Sequence, residues 1–88
     1  MAIVSVLACD TYDLDAVRRS VVALLAPLGG MGAFVRPGIR VLLKPNLLST
    51  AGLERAVTTH PTVVQVVAEQ VQSAGGTVLI GDSPAGSL

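Results

Sequence analysis

The stretch IRVLLKPNLLSTAGLERAVTTHPTVVQVVAEQVQSAGGTVLIGDSP, residues 39–84, decides the fold of this chain. Residues 39–43 form a short apolar run that Pro45 stops, since proline cannot donate to a strand ladder, and they read as a strand. Thr59-His60-Pro61 then opens a helix, with Pro61 suited to the first helical position, where a missing N–H costs nothing. The valines from Val63 to Val71 favour a strand by propensity. Against that, Gln65, Glu69 and Gln72 fall on one helical stripe, and Gly75-Gly76 closes the segment as a C-terminal cap, so length and caps outweigh propensity. Residues 77–80 make the next strand, and Gly81-Asp82-Ser83-Pro84 is the turn that leaves it. Residues 46–59 show no sustained periodicity and read as a long loop, a kind that often carries binding function.

Working outward toward the amino terminus, Arg36-Pro37-Gly38 marks a tight bend before the strand. Leu14, Val17, Val21, Leu24, Leu25 and Leu28 recur at helical spacing, with Asp15, Arg18 and Arg19 on the other side, acidic residues at the start and Gly29-Gly30 at the end. Residues 3–8, IVSVLA, are apolar and β-branched and read as a first strand, followed by turn and N-cap chemistry at Asp10, Thr11 and Asp13. Strand, helix, strand, helix and strand in alternation predict an α/β fold: a three-stranded parallel sheet in β-α-β-α-β order with helices packed on it. Every loop that follows a strand then lies at one edge of the sheet, the edge where open α/β folds bind ligands.

The chain has 88 residues, the size of one small domain, residues 1–88, and below the usual size of a complete doubly wound sheet. Its 51% hydrophobic and 14% charged residues belong to a chain that packs a core, which excludes disorder. Three strands leave free edges and an uncovered face, so a fragment of a larger α/β domain is expected, either docking on the remainder of a longer chain or forming a homo-oligomer. The net charge is zero and the basic residues are scattered, which argues against nucleic-acid binding. No apolar stretch has the length that spans a bilayer and no leader pattern precedes the first apolar run, so no membrane role and a cytoplasmic location are expected. Cys9 is the only cysteine, which rules out an internal disulfide or a cysteine-ligated metal cluster made by this chain alone, and it reads as a buried, inert thiol.

The polar residues at the predicted edge suit a small-molecule or anionic ligand. Lys44-Pro45-Asn46 places a cation and an amide there on a chain stiffened by proline, although Lys44 extending to solvent and Asn46 capping a turn account for the same residues. Thr58-Thr59-His60-Pro61 sets hydroxyls and an imidazole at a helix amino terminus, where unpaired backbone amides attract anions. His60 is the candidate for proton transfer, and an ordinary N-cap at Thr59 or His60 is the competing account. Asp82-Ser83 offers a carboxylate and a hydroxyl for an orienting contact or a metal ion, or a self-satisfied turn. The glycine run at residues 29–32 follows a helix and lacks both phosphate-binding fingerprints, so nucleotide binding by those motifs is not supported.

Val41-Leu42-Leu43-Lys44-Pro45-Asn46-Leu47, then Thr58-Thr59-His60-Pro61 with its valine-rich helix, then Gly75-Gly76 and Ile80-Gly81-Asp82-Ser83-Pro84 resemble, in this order, the amino-terminal part of the domain of unknown function 362 family. The resemblance runs from about Ile3 to Gly86 and is more specific as a combination than any single motif. It implies a prokaryotic protein longer than this chain, with many relatives carrying ferredoxin-like iron-sulfur modules further along and described as iron-sulfur or electron-transfer proteins. With Cys9 alone, no iron-sulfur cofactor fits in this chain, and a cluster would have to be held by downstream sequence. The positions carried over as a site are Lys44, Asn46, Thr59, His60, Asp82 and Ser83.

Overall fold

A computed structural model of the chain describes residues 2–45 and 59–81. Among these the elements are helix α1 (Leu14–Leu25), strand β1 (Arg40–Leu43), helix α2 (Pro61–Ser73) and strand β2 (Thr77–Ile80), with two short 3₁₀ turns, Ala26–Leu28 and Met31–Ala33, between α1 and β1. The two strands pair in parallel, with Arg40 beside Thr77 and Leu43 beside Ile80. The sheet is thus two-stranded, β1 next to β2, joined through α2.

Local chemistry accounts for each boundary. The Asp13 carboxylate accepts the Ala16 N–H at 3.1 Å and caps α1. Pro27 lacks the N–H that would continue the ladder, and the helix tightens into a 3₁₀ turn that Gly29, in the left-handed region, brings to an end. α2 ends in the same way. The Gly75 N–H donates to the Gln72 carbonyl at 2.9 Å and the Gly76 N–H to the Val71 carbonyl at 3.0 Å, the paired bonds of a Schellman motif. Ahead of β1, the Ile39 N–H donates to the Arg36 carbonyl at 3.1 Å, and Pro37 followed by left-handed Gly38 is the composition of a type II turn.

The buried hydrophobics among the described residues are Val17, Val35, Val66 and Val71, of which Val66 and Val71 are fully buried. α2 packs on both strands, and α1 packs on α2. The two helices are also joined by charge. The Arg18 guanidinium donates to both Glu69 carboxylate oxygens, at 3.0 and 3.2 Å, and to Asp15 at 2.7 Å. Arg18 and Glu69 therefore do not belong to purely solvated stripes, as their spacing suggested. Each sits half-buried on the seam between the helices and reaches its partner across 51 residues of sequence.

The hydrogen bonds from Arg18, reinforced by its charge, hold the Glu69 carboxyl below its ordinary value. A carboxylate whose folded pKa is depressed adds stability that is present above its unfolded value, about 4.3, and is lost as pH falls through the lower folded value. Glu69→Gln should accordingly melt slightly below wild type at neutral pH. That gap should close in acid, below the ordinary carboxylate range, when thermal unfolding is followed at several pH values.

Two expectations are corrected. Residues 3–8 are not a strand: among the described residues they carry no regular structure and no ladder partner, and Val4 and Val6 are 83% and 87% exposed. β-branched composition favours a pleated, half-buried setting only where an edge and a packing face receive it. Cys9, expected at the buried end of that strand, is exposed, and its thiol donates to the Thr11 carbonyl at 3.4 Å. Without the strand there is no strand end to bury it.

Candidate functional site

Parallel pairing carries the end of β1 and the start of α2 to one edge of the sheet. There, Lys44 and Thr59 line the same groove, of about 260 Å³, together with Leu42, Leu43 and Pro45 on one wall and valines of α2 on the other. Successive strand residues point to opposite faces, so a groove lined by both Leu42 and Leu43 lies along the free edge of β1. Lys44 is exposed and Thr59 half-buried. The groove is smaller than the roughly 300 Å³ at which drug-sized pockets begin, and its lining is mostly apolar.

His60 is turned to another task. It is the N-cap of α2: its Nδ1 accepts the Thr62 N–H at 3.1 Å, which assigns the neutral ring's proton to Nε2. Its ring lies flat on Tyr12, with centroids 3.8 Å apart and planes 6° from parallel. The Val63 and Val64 N–H groups donate to the His60 carbonyl at 3.0 and 3.3 Å. Pro61 has no N–H, so the first-turn amides of α2 are accounted for, and the expectation of unpaired amides ready for an anion is corrected. His60 satisfies them itself.

The cap makes a local prediction. Replacing His60 by Ala should cost about 1 kcal/mol of stability, while His60→Asn, which supplies another side-chain acceptor, should recover most of it in urea unfolding.

The order of motifs at this edge is that of a known family. A family model described as Domain of unknown function (DUF362) matches residues 41–88, more than half of the chain. The chain belongs to the DUF362 family. It is also 52% identical over 82 residues, 93% of its length, to the thylakoid-associated protein sll1697 of Synechocystis sp.. Those residues are 26% of that protein, so this DUF362 chain spans about a quarter of the length of the curated relative it matches. No solved structure matches it.

Of the positions carried over from the family resemblance, Lys44 and Thr59 come together on the groove, and His60 stands beside them at the cap. Asn46, Asp82 and Ser83 lie outside the described residues. The iron-sulfur chemistry implied for many DUF362 proteins does not fit the donors here, because a cluster needs several cysteine thiolates and this chain has Cys9 alone. Among the described residues no three His, Cys, Asp or Glu side chains gather as metal ligands, and no helix is long and apolar enough to cross a membrane.

Tyr12 was not anticipated at the site. It is one of the few aromatic residues, and its stack on His60 ties the segment before α1 to the start of α2. Below the stack, a second cleft of about 180 Å³ runs between Leu7, Cys9 and Thr11 on one side and α1 on the other, with Val63 reaching into both hollows. No sequence signal marked it, because the strand expected at residues 3–8, which would have led Tyr12 to this edge, does not form.

Proposed function

We propose that this DUF362 segment holds a small anion, a phosphate or a carboxylate, at the carboxyl edge of its parallel sheet. The observation that supports this most is the placement of Lys44 and Thr59, from opposite ends of the long connection, on the walls of one groove. Lys44 supplies the charge and Thr59 a hydroxyl, and the positive end of the α2 dipole adds to the attraction. Asn46, which follows Pro45, and Asp82 and Ser83, which follow Gly81, belong to this reading by sequence and family resemblance alone.

His60 is assigned a positioning role through its cap and its stack, and any proton transfer by it would pass through Nε2. A redox function belongs to this reading only at the level of a longer protein, with an iron-sulfur cluster held outside this chain. The proposed location is the cytoplasm. Because the relative's name reads thylakoid-associated, cell fractionation is the direct check on that location, and a membrane-bound pool is the contrary result.

The ligand reading is tested by titrating inorganic phosphate and small carboxylates into wild type and Lys44→Ala, with amide NMR shifts as readout. Saturable shifts at Lys44 and Thr59 are expected, and removing a charged hydrogen-bonding partner should weaken them about tenfold or more. Identical responses from the two proteins would refute it.

A further inference from the structure

We propose that the sheet face turned away from α2, carried by Leu42 and Leu79, is a docking surface for an apolar helix supplied by a further part of the same polypeptide in longer members of the family. The orientation follows from Gly76, immediately before β2, where an added Cβ would lie 2.9 Å from Val71 Cγ1 of α2. Side chains alternate along a strand, so Val78 shares the α2 side with Gly76 and Leu79 points the other way. The register sets Leu79 beside Leu42, and the two are 49% and 56% exposed.

Parallel sheets occur almost only with both faces covered, and strands of this composition, Val-Leu-Leu beside Val-Leu-Ile, are those of a sheet buried on both sides. Here α1 does not provide the second cover, because it packs on α2. The length of the relative points to the source of the cover. The matched segment is 26% of the Synechocystis relative, which leaves about three quarters of a protein of that kind to furnish the opposing helix layer of a three-layer α/β domain. A second copy of this segment is the weaker occupant, since its α1 is already packed on α2 and its α2 on the strands. Leu42 also lines the groove, whereas Leu79 takes no part in it, so labelling at residue 79 reads the docking face separately from the anion site.

The test places this chain in a full-length protein by substituting it for the matched quarter of the Synechocystis relative. Leu79→Cys, in a Cys9→Ser background, is then labelled with a maleimide in the chimaera and in the 88-residue chain, and the labelled peptide is quantified by mass spectrometry. Labelling at residue 79 should be at least tenfold slower in the chimaera, Leu42→Cys should behave alike, and Gln72→Cys, on the exposed side of α2, should react equally in both proteins. Equal rates at residue 79 would overturn the proposal. So would protection in the 88-residue chain that grows with its concentration, which would make a second copy the occupant.

Discussion

Gly75→Ala should destabilise the chain by about 3 kcal/mol. Gly75 has φ of +92°, and an alanine held in that left-handed region costs about 1–2 kcal/mol. The second part is steric. A Cβ there would stand 2.9 Å from Pro37 Cα and 3.1 Å from its Cβ and Cγ, so the turn before β1 would have to move. That turn is bonded to the same place, the Gly38 N–H donating to the Gly75 carbonyl at 3.0 Å. Gly38→Ala separates the two contributions, since Gly38 also has positive φ, +87°, but nothing lies near its missing Cβ. Its cost should be only about 1 kcal/mol, and urea unfolding of the two variants should rank them in that order. The functional consequence follows from register. The Pro37–Gly75 contact sets where β1 and β2 begin side by side, and so where Lys44 and Gly81 end up at the opposite edge.

Val66→Ala should lower stability by about 2 kcal/mol, from two methyl groups lost and the cavity they leave. Val66 is wholly buried in α2, one of four buried hydrophobics among the described residues. With so few, a loss of this size is a large share of the 5–15 kcal/mol typical of small domains. The unfolding midpoint should shift with little change in slope, because the surface exposed on unfolding is nearly the same. Leu79→Ala, at a half-exposed position on the open face, should cost far less in the 88-residue chain.

What could be read from residues alone was mostly punctuation. Asp13, the Gly29-Gly30 and Gly75-Gly76 pairs, Arg36-Pro37-Gly38 and Pro61 marked boundaries because each imposes a backbone geometry or removes a donor, whatever packs around it. α2 was recovered against the β-propensity of its valines for the same reason, its two ends being marked. Residues 3–8 carried a signal of composition only, and composition makes a strand only where a neighbouring edge accepts it. The pairing of Lys44 with Thr59 on one groove was legible because parallel topology alone brings the end of a strand and the start of the following helix to one edge. Contacts between distant residues were not. The Tyr12–His60 stack and the Arg18–Glu69 bridge depend on how α1 rests on α2, which no periodicity encodes. The occupied amides of α2 were not legible, because residue type alone does not say which backbone donors a capping His60 takes up.

The meeting of Lys44 and Thr59 on one groove requires β1 and β2 to run in the same direction with α2 between them. Through-space proton contacts in the NMR spectrum of the 88-residue chain test this directly. Parallel pairing predicts cross-strand contacts that place Val41 beside Val78 and Leu43 beside Ile80, rising together along both strands. Contacts in the reverse order, with Leu43 beside Thr77 and Arg40 beside Ile80, would contradict it and would carry Lys44 away from the edge where β2 ends.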